Sequence, residues 1–289
     1  MKIAIASGKG GTGKTTVSVN LYSTFARFFD NNITLIDCDV EEPNDALFFK
    51  NRKLILEKEV QQIIPEINTE ACTFCHKCAD WCEFNAITII KSVAFAEINK
   101  ELCHSCGACL VACEYNAITE HPHPLGVISH FDTGIGNGLI EGRLEISSSM
   151  QTMLIKEVKK EISENNSITI IDAPPGTSCP VVETVSDANY IILVTEPTPF
   201  GLHDLKITVD LLRDIKKPFG VIVNKAGLGA NEVYKFLDEN NIELLGKIPF
   251  TKAYAKNYAS GTILENVPKE IEDTYREIAE KLLTKQLQQ

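Results

Sequence analysis

Gly8-Lys9-Gly10-Gly11-Thr12-Gly13-Lys14-Thr15 follows the apolar run Ile3-Ala4-Ile5-Ala6 and opens a segment, 14–29, whose apolar residues recur at helical spacing. A G-x-x-x-x-G-K-T pattern between a strand and a helix is a phosphate-binding loop. Its glycines let backbone N–H groups converge on phosphate oxygens, the helix start adds about half a positive charge, and Lys14 adds a full one. The Thr15 hydroxyl is then placed for Mg2+. Outward from the loop, short apolar runs recur at 33–36, 168–171, 190–194, 219–223 and 244–248, separated by stretches of helical character. That alternation predicts an α/β fold, a doubly wound and mostly parallel sheet with helices on both faces.

The alternation stops between 66 and 122, where eight of the ten cysteines lie. Cys72, Cys75, Cys78 and Cys82 recur 31 positions later as Cys103, Cys106, Cys109 and Cys113, and Asn85-Ala86-Ile87-Thr88 recurs as Asn116-Ala117-Ile118-Thr119. Two copies of one small unit are present. Because the α/β pattern resumes afterwards, the expected organisation is a discontinuous domain, 1–65 and 123–289, carrying an insert at 66–122 that leaves through His121-Pro122-His123-Pro124. C-x2-C-x2-C-x3-C is the bacterial ferredoxin run, so the insert is expected to be an α+β ferredoxin-like domain with two 4Fe-4S clusters. With the fourth cysteine crossing over, one cluster takes Cys72, Cys75, Cys78 and Cys113, and the other takes Cys103, Cys106, Cys109 and Cys82. Zinc instead uses C-x2-C pairs separated by a longer loop. Proline commonly follows the fourth cysteine of such a run; here Glu83 and Glu114 stand there, and their charge favours the oxidised cluster.

Lys9 and Thr16 narrow the first motif, which resembles the deviant Walker A loop of the MinD, ParA, Mrp and nitrogenase iron-protein group of ATPases. Leu35-Ile36-Asp37-Cys38-Asp39 is similar to that group's second carboxylate strand, and Ile170-Ile171-Asp172-Ala173-Pro174-Pro175-Gly176 to its Walker B strand and switch loop. Val223-Asn224-Lys225 and Ile248-Pro249-Phe250 resemble its adenine-side segments. The resemblance implies that Gly8, Gly10, Gly11, Thr12, Gly13, Lys14, Thr15 and Thr16 hold the phosphates of ATP, with Asn224, Lys225 and Pro249 beside the base. It implies that Thr15, Asp37 and Asp172 order Mg2+, the two aspartates partly through water, and that Asp39 positions the attacking water. Lys9 is implied to act across a nucleotide-dependent homodimer on the partner's nucleotide, as an arginine finger does. A heterodimer with a similar ATPase satisfies the same geometry.

The bulk numbers agree. A net charge of -11 disfavours nucleic acid as a main partner. No apolar run approaches the roughly 20 residues needed to span a bilayer, so membrane insertion is not expected. Clustered cysteines without an export signal fit metal ligation in a reducing, cytoplasmic setting. Cys38 and Cys179 have no partner in their vicinity in sequence and are expected to be buried small side chains. The last helix, with Ile271, Tyr275, Ile278, Leu282 and Leu283 on one stripe, is expected to pack on the sheet. The function expected is an ATP-hydrolysing iron-sulfur protein that couples nucleotide state to electron transfer with a redox protein partner. Two alternatives are an ATPase that assembles or delivers iron-sulfur or other metal centres, and a redox-sensing spatial organiser.

Overall fold

The computed structural model describes residues 1–29, 32–146, 148–163, 168–229 and 231–286. The chain divides into two compact units: Met1–Glu57, Ile128–Arg143 and Ile155–Gln289 form the first, and Lys58–Val127 with Leu144–Leu154 the second.

In the first unit, β1 (Lys2–Ala6), β2 (Ile33–Asp37), β7 (Leu139–Leu144), β8 (Ile168–Asp172), β9 (Tyr190–Thr195), β10 (Phe219–Ala226) and β11 (Leu244–Pro249) lie side by side in the order β11-β10-β9-β1-β8-β2-β7. Every pair among them is parallel. Their uninterrupted β-branched and leucine runs, almost wholly buried, are what a sheet covered on both faces requires. The covering helices include α1 (Lys14–Phe28), α5 (Cys179–Val185), α6 (Pro199–Asp214), α7 (Glu232–Glu239), α8 (Lys252–Ala259) and α9 (Lys269–Gln286). Ile271, Tyr275, Ile278 and Leu282 of α9 are buried in the main core, and Leu283 is partly so. The order turns around β1, so the carboxyl ends of β1, β2, β8 and β9 open at the switch point where ligands bind in such sheets.

The expected strands are present, extended by up to three residues. Two 15-residue strands, β3 (Lys53–Ile67) and β6 (Ile118–Asp132), exceed anything the sequence suggested. His121-Pro122-His123-Pro124 lies within β6 and is not the exit of an insert, and the second unit reaches beyond 66–122 on both sides. The helix α4 (Gln151–Lys160) follows.

The second unit displays its repeat in three dimensions. A short helix α2 (Lys77–Asp80) corresponds to α3 (Ala108–Ala112), and β4 (Ile87–Ile90) pairs antiparallel with β5 (Phe95–Ile98). Left-handed backbone at Phe74, His76 and Asn85 recurs 31 residues on at Ser105, Gly107 and Asn116. The copies are crossed: Asn68 N–H donates to Ala117 O at 2.7 Å, and Asn99 N–H to Ala86 O at 2.7 Å, each tying the start of one copy to the end of the other.

Tyr22 of α1 ties the phosphate-loop helix to the turn before β7. Its hydroxyl donates to Ile135 O and accepts from Gly138 N–H at 3.2 Å, with Thr133 Oγ1 at 2.8 Å. Tyr22→Phe leaves these groups short of a buried partner, an expected loss of about 1–3 kcal/mol measurable by urea denaturation.

Candidate functional site

The phosphate loop owes its shape to two left-handed glycines, Gly11 at φ 79° and Gly13 at φ 95°. Gly13 is also the N-cap of α1 and offers no side chain to cap it, which leaves the first N–H groups of that helix for an anion. A Cβ on Gly13 would lie 2.0 Å from Asn224 Nδ2, so only glycine lets β10 approach the loop. Asn224 Nδ2 donates to Thr12 O at 2.7 Å and Lys225 Nζ to Gly11 O at 2.9 Å, fastening the loop from the base side.

Beside the loop, the β2–β8 register sets Asp37 directly opposite Asp172. Lys14 Nζ is 3.1 Å from Asp172 Oδ1 and 4.0 Å from Asp39 Oδ2. Thr15 Oγ1 donates to Asp172 Oδ2 at 3.0 Å and Ser18 Oγ to Asp172 Oδ1 at 2.9 Å. Asp37 accepts three backbone N–H groups, from Asp39 at 3.0 Å, Asn44 at 2.9 Å and Asp45 at 3.0 Å, and so shapes the turn that holds Asp39. Ser18 and Asp45 were missed by the sequence reading. Asp45 is wholly buried, neither carboxylate oxygen has a hydrogen-bond partner among the described residues, and with Asp37 and Asp172 it forms a group that could hold a cation. The only sequence signal for Asp45 was its place after Pro43 and Asn44, a turn pattern rather than a metal pattern.

This packing of like charges shifts Asp37, Asp45 and the Lys14 beside them. Burial and the facing Asp172 push Asp37 up to about 8, against the pull of the Asp45 and Asp39 N–H groups and Lys14. Burial, Asp37 and Asp172 raise Asp45 well above the carboxylate range. Burial works against the charge of Lys14, but Asp172, Asp39 and Asp37 outweigh it and hold the ammonium above the ordinary lysine value.

On the base side, Gly11, Gly13, Thr16, Asn224, Lys225 and Pro249 share a cavity of about 270 Å³ with Tyr254 and Tyr258. Gly8 presses on α6, where a Cβ would lie 2.6 Å from Asp204 O, while the corresponding position on Gly10 is open. Lys9 Nζ lies 2.9 Å from Glu196 Oε1. Cys38 is buried as expected, but Cys179 is exposed at the start of α5, contrary to the expectation of a buried thiol.

In the second unit, Cys72, Cys75, Cys78 and Cys113 line one cavity, and Cys82, Cys103, Cys106 and Cys109 line another. The fourth cysteine of each run thus stands with the other three-cysteine loop. Backbone N–H groups of Phe74, Ala86 and Ala117 donate to Cys72, Cys82 and Cys113 Sγ at 3.3, 3.4 and 3.4 Å, an arrangement that favours thiolate sulfur. Burial raises the Cys78 and Cys103 thiols and pushes Cys109 up to about 11, so these sulfurs need a bound cationic centre to be thiolates near neutrality. Four convergent sulfurs per cavity are a donor set that fits an iron-sulfur cluster.

Burial raises Asp39 to about 6, with Lys14 opposing and Asp172, Glu41 and Glu42 reinforcing. A carboxyl whose folded pKa exceeds its unfolded one contributes stability that is full below the ordinary aspartate range and lost as pH rises through about 6. Asp39→Asn is therefore expected to be more stable than wild type at pH 8, by about 1–2 kcal/mol, with the gap closing near pH 4. Urea denaturation at the two pH values measures it; a gap independent of pH contradicts the assignment.

The family model of the CobQ/CobB/MinD/ParA nucleotide binding domain matches residues 3–264. The Methanocaldococcus jannaschii protein MJ0578 is 35% identical over 285 residues, covering 98% of this chain and 96% of that protein. An iron-sulfur cluster carrier protein of Pyrococcus furiosus is 24% identical over a 311-residue alignment, covering 98% of this chain and 86% of its own length. Among solved structures, the P. furiosus cell division ATPase MinD matches with a TM-score of 0.59 at 18% identity, covering 98% of both chains. The septum site-determining protein MinD complexed with Mg-ADP from Pyrococcus horikoshii matches with a TM-score of 0.59 at 17% identity, covering 97% of this chain and 95% of that one. At these identities the structural likeness is one of fold. The loop, the paired carboxylates and the full-length match together place the chain in the CobQ/CobB/MinD/ParA nucleotide-binding domain family.

Proposed function

We propose that the chain is a dimerising, Mg-dependent ATPase that carries two 4Fe-4S clusters and couples its nucleotide state to electron transfer. The observation that carries this reading is the joint presence, in one polypeptide, of the loop–carboxylate site and two convergent four-cysteine cavities.

On this reading Lys14 and the N–H groups of the loop bind the phosphates, and the cavity bounded by Asn224, Lys225 and Pro249 takes the base. Thr15, Asp37 and Asp172 order Mg2+, which neutralises phosphate charge; the horikoshii protein of the same fold is complexed with Mg-ADP. Asp39, largely ionised at pH 7 and held at the rim of the site, orients the attacking water. Lys9 reaches a nucleotide on a second copy and stabilises charge there, a role that contributes on the order of 10³–10⁵ in rate in the best cases.

Each four-cysteine set would hold one cluster, and a 4Fe-4S cluster supplies one-electron chemistry. The sulfur-directed N–H groups stabilise thiolate ligands, while Glu83 and Glu114 beside the fourth cysteines add negative charge that favours the oxidised form. In chain order the cysteine segment lies between Asp37–Asp39 and Asp172. Movement of those carboxylate segments with nucleotide therefore has a continuous covalent route to it. A second reading, assembly or delivery of iron-sulfur centres, is favoured by the likeness to carrier proteins across 98% of the chain. Ferredoxin spacing suits tightly held clusters better than cargo.

Protein purified without oxygen is expected to contain about eight iron and eight sulfide per chain, with Cys78→Ala reducing both to about four. Zinc alone would refute the cluster assignment. Lys14→Ala is expected to weaken ATP binding at least tenfold while leaving iron content intact. Cluster potentials followed by EPR should differ between ATP and ADP; identical values, with cluster passing to an apo-acceptor on ATP addition, would favour delivery instead.

A further inference from the structure

Lys9 is placed against its own chain. Its Nζ lies 2.9 Å from Glu196 Oε1, 4.0 Å from Asp204 Oδ2 and 5.8 Å from the centre of the Phe200 ring. All three groups belong to the segment that leaves β9 and enters α6. That close fit depends on two missing side chains: a Cβ on Gly8 would lie 2.6 Å from Asp204 O, and a Cβ on Gly201 would lie 2.2 Å from Glu196 O. Ser7 Oγ donates to Lys9 O at 2.8 Å and fixes the backbone from which the lysine projects.

Glu196 is itself held in place. Thr198 Oγ1 donates to its Oε1 at 3.3 Å, and Lys225 Nζ donates to its Oε2 at 3.0 Å while also donating to Gly11 O. Burial would raise the Glu196 pKa, but Lys9 and Lys225 outweigh it and keep the carboxyl below the usual range, so the carboxylate stays charged near neutrality.

We propose that Glu196 is a positioning residue for Lys9, retaining the ammonium on its own subunit until the nucleotide of a second copy competes it away. The inference rests on the reading of Lys9 as a residue acting across the dimer. An ammonium 2.9 Å from a carboxylate offers little field to any other anion until the pair parts. Both side chains are partly exposed, so parting is inexpensive: pairs of this kind shift an equilibrium by about fivefold or less. A triphosphate carries more charge than one carboxylate and wins the exchange, whereas a diphosphate competes less well. The pair therefore makes productive dimerisation depend on which nucleotide is bound.

Steady-state ATP hydrolysis by the full, anaerobically purified chain, measured across protein concentration, tests this. Glu196→Gln should raise the rate per chain by about fivefold at low protein concentration, with KM for ATP within twofold of wild type and the two curves converging at high concentration. Lys9→Ala combined with Glu196→Gln should be as slow as Lys9→Ala alone. Glu196→Asp, which keeps the charge but draws it back, should give a smaller gain in the same direction and serves if Glu196→Gln folds poorly. An unchanged or lower rate in both variants, or a gain that survives Lys9→Ala, overturns the proposal. A wild-type rate independent of protein concentration, together with full activity of Lys9→Ala, would refute the trans role of Lys9 and this proposal with it.

Discussion

At the carboxyl edge of the parallel sheet, strand register brings carboxylates together against their own repulsion. Asp37 and Asp172 are Cα partners in the β2–β8 ladder, and Asp45 joins them from the turn that follows β2. All three are at most 1% exposed, and Lys14 is the ammonium placed among them. Unpaired charge in such a setting is expensive, so the site is stable only insofar as protons, backbone N–H groups and cations balance it. The three N–H groups on Asp37 and the three donors on Asp172 are part of that balance. What remains unsatisfied is a demand for positive charge beside a loop that attracts negative charge. A metal-bound polyphosphate answers both demands at once, which is why this edge of the fold suits nucleotide chemistry.

The second unit faces a different shortage. Around its cysteine runs, buried apolar residues form small clusters in which cysteines are themselves members: Ile64, Ala86, Ile98 and Cys103 in one, and Cys78, Ile89, Cys109 and Ile118 in another. Such cores supply little hydrophobic free energy, and small units of this kind generally need a covalent or metal staple. On the proposed reading the clusters are structural as well as redox-active, because sulfur ligation closes loops the apolar contacts cannot hold alone. The crossed repeat reinforces this, since losing one metal centre would loosen segments of both copies.

The parallel strands were legible because they are buried on both faces and therefore spelled as continuous runs of Ile, Val and Leu. The cysteine grouping was legible because two C-x2-C-x2-C-x3-C runs repeat at a fixed offset of 31 residues. β3 was not legible: Val60, Gln62 and Ile64 turn inward on alternate positions, but an apolar Ile63 faces outward between them and a polar Gln62 faces inward, so the apolar alternation is masked. In β6, two prolines and two histidines within four residues imitate a domain exit. Asp45 and Ser18 escaped because their contribution is tertiary; nothing local distinguishes a buried, unpartnered aspartate from a turn residue. Cys179 was misjudged for a related reason, since exposure at a helix start depends on what the helix packs against.

Two copies of a chain with net charge -11 repel at long range, and bound polyphosphates would add to that repulsion. At physiological ionic strength such repulsion is screened beyond roughly 8 Å, so association is decided by the few charges that meet at contact. On the proposed dimeric reading Lys9 is the charge best placed to decide it, yet Glu196 already neutralises it within its own chain. Exchanging that carboxylate for a phosphate leaves each lysine paired throughout, and the Glu196 carboxylate left behind keeps Lys225 as its partner. An unguarded lysine would attract any anion at this edge. A guarded one responds to the most highly charged, and on the proposed reading that difference gives an acidic protein a means of dimerising selectively on its triphosphate-bound form.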